Sequence, residues 1–128
     1  MSAIQLEHVN ITVSDPARSA DMLHKLFGWK TRWHGTAMNG DGITYHVGTD
    51  DTYIALYSGK IANGPTEVNY DTIGGLNHVA VLVDDIEAVE KRIIDAGYIP
   101  KSHADYEPGK RFYFFDHDNI EFEVVCYS

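Results

Sequence analysis

Cysteine is almost absent. Cys126 is the one such residue in the chain, which excludes an internal disulfide. A reducing, cytoplasmic setting is therefore expected over a secreted one. Positive charge is also scarce: 10 Lys and Arg stand against 19 Asp and Glu, for a net charge of −9. Nucleic acid and anionic membrane need basic footprints, so neither is expected as a partner. No apolar run approaches the roughly 20 residues of a membrane helix. The opening MSAIQLEH has neither the basic start nor the apolar stretch of a signal segment. One residue type is plentiful: seven histidines in 128 positions keep metal chemistry open.

The chain repeats itself. LEHVNITVSD, residues 6–15, returns 70 positions later as LNHVAVLVDD, residues 76–85. The two histidines, His8 and His78, fall at equivalent points. Internal duplication governs the fold, so it is considered before local detail. Each decapeptide alternates like a strand. Val9, Ile11 and Val13 share one face, as do Val79, Val81 and Val83. The opposite faces carry Leu6, His8, Asn10 and Thr12, and Leu76, His78, Ala80 and Leu82.

A helix follows each strand. In SDPARSADMLHKLFG, Ser14 or Asp15 can cap, Pro16 suits the first turn and Gly28 stops it. Ala20, Leu23, Leu26 and Phe27 keep the helical period. In DDIEAVEKRIIDAG the stripe is Ile86, Val89, Ile93 and Ile94, ended by Gly97. Three strand-like runs then complete each half. In the first they span residues 29–35, 43–48 and 52–58, with turns at Asn39-Gly40-Asp41-Gly42 and Thr49-Asp50-Asp51. In the second they span 98–104, 110–116 and 120–127, with a turn at His117-Asp118-Asn119.

The expected fold is α+β. Two βαβββ modules, about 4–58 and 76–127, form a curved mixed sheet or barrel within a single domain, joined by a connection over 59–75. Ile54, Leu56, Phe122 and Val124 belong beneath the helices. The alternate positions line the inside: His8, His78 and Glu123, with Tyr53, Ala55, Tyr57 and Tyr113 around them. Two imidazoles and one carboxylate on an inward face suit a 2-His-1-carboxylate metal site with open positions for substrate. Glu121 shares its face with Glu123 and is an alternative third ligand. Iron(II) or manganese(II) fits such a set best, with zinc, nickel or cobalt also compatible. The other histidines (24, 34, 46, 103 and 117) taken singly suit helix surface, strand or loop.

LEHVNITVSDPARSADMLHKLFGW, LNHVAVLVDDIEAVEKRIIDAG and RFYFFDHDNIEFEVV together resemble the vicinal oxygen chelate superfamily. That group spans glyoxalases, bleomycin-resistance proteins, fosfomycin-resistance proteins and extradiol dioxygenases. The last segment is similar to the family's aromatic–DPDG–apolar–Glu ending, with His117 and Asn119 in place of proline and glycine. The resemblance implies His8, His78 and Glu123 as metal ligands and Ala55 at the fourth ligand place. A methyl group can neither bind metal nor move a proton, so glyoxalase I chemistry is not expected.

The resemblance implies a small-molecule substrate that chelates the metal through vicinal oxygens, and a homodimer. The ligands would come from one chain, or His8 would meet the partner's other two. The extradiol branch is favoured by Tyr113, ten residues before Glu123, and by His103, ten before Tyr113, as acid–base. A fosfomycin-type thiol transferase, with Lys101 near a lysine of that branch, is the alternative. So is a non-catalytic drug-sequestering protein with an aromatic cleft of Trp29, Trp33, Tyr53, Tyr57 and Tyr113.

Overall fold

A computed structural model describes residues 3–38, 40–60, 63–64, 70–107 and 109–127. The chain divides into two compact units, Met1–Asn63 and Gly64–Ser128. The expected turn position Asn39, and residues 61–62 and 65–69 of the connection, lie outside the described residues.

The first unit runs β1 (His8–Thr12), α1 (Pro16–Phe27), β2 (Lys30–Thr36), β3 (Ile43–Gly48) and β4 (Tyr53–Ser58). Its sheet has the order β1-β4-β3-β2. β1 runs parallel to β4 and the remaining pairs are antiparallel. A parallel pair needs a crossover connection, and α1 begins that return. Asp15, not Ser14, caps the helix: its carboxylate accepts from the Ala17 and Arg18 amides at 3.1 and 3.3 Å. Gly28 closes it at φ 71°, the left-handed region that glycine enters without steric cost. Ala20, Met22, Leu23 and Leu26 are buried, and α1 packs on β2, β3 and β4.

The second unit repeats the plan with β5 (Val79–Leu82), α2 (Ile86–Asp95), β6 (Lys101–Tyr106), β7 (Gly109–Phe115) and β8 (Glu121–Cys126). The sheet order is β5-β8-β7-β6, with β5 parallel to β8. Asp85 caps α2 by accepting from the Ala88 amide at 3.1 Å. Ile86, Val89 and Ile93 are buried, with Phe112, Phe114, Phe122 and Val124 forming the apolar face of the sheet.

The two βαβββ modules and their mixed sheets are therefore present. Among the described residues the eight strands make two four-stranded sheets, each keeping its own edges, and no ladder joins them into one barrel. Three further expectations are corrected. Tyr98 does not begin β6, because its amide donates to the Ile93 carbonyl at 3.1 Å and still closes the helix. The strand starts only at Lys101. Val9 is not covered as its face implied: it is 43% exposed, whereas its counterpart Val79 is half-buried. His78 lies one residue before β5 instead of within it. No described helix is long and apolar enough to cross a membrane.

Candidate functional site

Strand alternation builds the site face of the second unit. Tyr113 stands directly opposite Glu123 across β7 and β8, and Arg111 opposite Val125. Ala80 of β5 pairs with Glu123 from the other side. Lys101 of β6 pairs with Tyr113. Phe112 and Phe114 turn to the opposite, helix-covered face. One sheet face thus presents Arg111, Tyr113, Glu121 and Glu123, with His78 at its rim.

These side chains make a connected polar network. His78 Nε2 lies 3.0 Å from Glu123 Oε1, and its Nδ1 lies 2.6 Å from Asn77 Oδ1. Both ring nitrogens face oxygens, an arrangement satisfied by a doubly protonated ring or by a cation between imidazole and carboxylate. Arg111 Nη1 donates to the other oxygen of Glu123 at 2.9 Å. Glu123 is 7% exposed, so its charge is held where water screens it little. The Tyr113 ring meets His78 edge-on, centroids 5.7 Å apart. Burial raises the Tyr113 pKa above its usual 10.0. The Glu123 charge adds to the rise, and Arg111 opposes it. The phenol remains a hydrogen-bond donor at neutral pH.

Glu121 serves a different purpose from its neighbour on the same face. Lys101 Nζ donates to it at 3.2 Å and Tyr70 donates its hydroxyl to the other oxygen. That bond, foremost, pushes the Tyr70 pKa up to about 12. Lys101 also lies 4.1 Å above the Phe115 ring. Between the two glutamates, His78 contacts Glu123.

His103 is not brought to this network. β6 carries a register shift between Lys101 and Ala104, with Ser102 at φ 57°. The shift turns His103 toward the helix side. There its Nε2 lies 2.7 Å from Glu90 of α2, and its ring stacks on Phe112 at 5.5 Å. A bulge re-aims side chains that simple alternation would assign to the other face.

In the first unit, His8 belongs to an aromatic stack. Its ring lies 4.8 Å from that of Tyr53, which lies 4.5 Å from His46, which in turn lies 5.1 Å from Trp33. Arg32 sits 4.6 Å above the Tyr53 ring. Burial lowers the His46 pKa from 6.5, and the charges of His8 and Arg32 add to the effect. Ala55, between Asn10 and His46 in the ladder, is 1% exposed. Among the described residues no group of three or more His, Cys, Asp or Glu gathers in metal-binding geometry.

Two residues of these networks escape single-residue inspection of the sequence: Arg111 and His46. Period-two alternation held the signal. Arg111 is the charged residue on Tyr113's face of β7, and His46 pairs with Ala55.

Residues 5–124 match the model of the Glyoxalase/Bleomycin resistance protein/Dioxygenase superfamily. A glyoxylase/bleomycin resistance protein/dioxygenase domain from Frankia sp. EAN1pec superposes with a TM-score of 0.79 at 24% identity, covering 99% of this chain and 94% of that one. The fosfomycin resistance protein FosX from Listeria monocytogenes gives 0.76 at 17% identity, covering 99% and 96%. FosX from Mesorhizobium loti gives 0.70 at 23%, covering 97% and 92%. None of the curated proteins matches in sequence. At these identities the structural likeness speaks for the fold. The family match, spanning nearly the whole length, establishes that this chain belongs to the Glyoxalase/Bleomycin resistance protein/Dioxygenase superfamily.

Proposed function

We propose that the protein is a divalent-metal-dependent enzyme acting on a small molecule that chelates the metal through two vicinal oxygens. The single observation that carries this is the His78–Glu123 contact: an imidazole nitrogen 3.0 Å from a buried carboxylate oxygen. The donor set fits. Imidazole is a good borderline ligand and carboxylate supplies hard negative charge, together suited to manganese(II) or iron(II). His8, in the equivalent place of the first unit, is the third ligand. That assignment rests on the family resemblance and on the duplication that makes His8 the counterpart of His78.

The metal, when bound, would act as a Lewis acid on the chelated oxygens and stabilise charge developing there. The protein's residues do the rest. Asn77 orients His78 through Nδ1, as ligating histidines require. Tyr113, kept protonated by burial and by Glu123, donates a hydrogen bond to a substrate oxygen. Ala55 leaves the fourth ligand place without a side-chain donor.

Two reaction types remain in play. Extradiol ring cleavage would use Tyr113, but the acid–base role envisaged for His103 lacks geometric support, since that ring faces Glu90. Fosfomycin-type resistance chemistry is favoured by a neighbour: a FosX variant from Listeria monocytogenes was crystallised with Mn(II) and 1S,2S-dihydroxypropylphosphonic acid. That molecule carries two vicinal hydroxyl oxygens, the kind of chelate proposed here.

Metal content decides the proposal. Protein purified without chelators and loaded with manganese(II) should retain it through dialysis, while His78→Ala should lose it. A His78→Ala protein that keeps the wild-type metal content removes the ligand assignment.

A further inference from the structure

Arg111 is placed for more than an ion pair. Its side chain is 14% exposed; Nη1 donates to Glu123 Oε2 at 2.9 Å, and the Tyr113 hydroxyl lies beside the guanidinium. Among the described residues Nε and Nη2 are buried and have no hydrogen-bond partner. The Tyr106 ring covers the guanidinium, its centroid 5.0 Å from Cζ. A ring face attracts a cation but gives its N–H groups no directed acceptor. Two idle donors under cover represent a cost that an incoming acceptor would remove.

Glu123, by contrast, is fully engaged, with His78 at Oε1 and Arg111 at Oε2. A divalent cation arriving at this carboxylate meets a like charge that already holds one of its oxygens. Glu123 and Arg111 sum to zero. Adding a dication brings the group to +2 in a poorly screened place, and once Glu123 turns to the metal Arg111 loses its carboxylate acceptor. An oxyanion answers both deficits.

We propose that Arg111 switches partner. It holds Glu123 while the carboxylate is metal-free, and passes to an oxyanion of the substrate when a divalent cation takes Glu123. The inference rests on His78 and Glu123 being metal ligands. It narrows the substrate to a small molecule bearing a carboxylate or phosphoryl group beside its chelating oxygens. It also makes metal and anion binding mutually reinforcing, since such coupling is reciprocal.

Manganese(II) titration calorimetry tests it, on wild type, Arg111→Met and Arg111→Lys, each in inorganic sulfate and in chloride of equal ionic strength. Sulfate should tighten manganese binding by wild type about tenfold, within the usual range of such couplings. In chloride, Arg111→Met should bind manganese about tenfold more tightly than wild type, because a charge-assisted bond no longer competes. It should gain nothing from sulfate. Arg111→Lys keeps the charge without the planar fork and should recover part of the sulfate effect. Equal manganese affinity in wild type and Arg111→Met, with no sulfate effect in either, overturns the switch and leaves the metal assignment standing. Failure of every variant to take manganese overturns both.

Discussion

Tyr113 and Glu123 face each other directly across β7 and β8, so the phenol is titrated beside a buried carboxylate. Glu123→Gln removes one cause of the raised Tyr113 pKa while leaving the burial. The phenol should then ionise at lower pH than in wild type. An ultraviolet difference titration, with Tyr113→Phe as the blank, reads that one residue among eight tyrosines. An unmoved titration would mean that the carboxylate charge does not act on the phenol.

Asn77 contacts the outer nitrogen of His78 at 2.6 Å and contributes no ligand itself. Removing such an orienting group commonly costs about 10–100-fold in metal affinity. Asn77→Ala should show a loss of that order by equilibrium dialysis against manganese(II). Wild-type affinity would indicate that His78 is fixed by packing alone.

Asp116 holds the turn into β8. Its Oδ1 accepts from the Asp118 and Ile120 amides at 2.8 and 2.9 Å. Burial raises its pKa above 3.8 despite those bonds, which pull the other way. A carboxyl with a raised folded pKa favours the fold while protonated. Its contribution is complete below 3.8 and is lost as pH rises through the raised value. Asp116→Asn keeps the acceptor oxygen without the charge. Relative to wild type it should gain stability as pH climbs above 3.8, measured by urea unfolding across that range. A pH-independent difference would contradict this.

Ala55 is 1% exposed, with Asn10 and His46 as its ladder neighbours. Ala55→Glu, which by family analogy would add a fourth ligand, must first fit a long charged side chain into that space. Overpacking alone costs about 1–3 kcal/mol, and a buried carboxylate adds to it. The urea midpoint should fall accordingly. A stable Ala55→Glu protein would mean that the face opens more readily than its packing implies.

Much of this molecule was legible beforehand. The repeated decapeptide gave the duplication, and Gly28 and the Ser14–Asp15 pair marked helix ends that the structure keeps. The alternation in RFYFF and EFEVV assigned Tyr113 and Glu123 to one face and Phe112, Phe114, Phe122 and Val124 to the other. Errors arose where a local pattern was overridden. Tyr98 looks like the first residue of a strand, yet a helix carbonyl claims its amide. His103 alternates correctly only if β6 has no bulge.

Sequence by itself determined the element order, the faces and the family, because strand and helix periods are properties of consecutive residues and the duplicated motif carries them twice. Tertiary structure alone decided which charges meet. Arg111 and His78 share Glu123 only because parallel β5 and antiparallel β7 flank β8, and strand pairing at that distance along the chain is fixed by hydrogen-bond register rather than by any local signal.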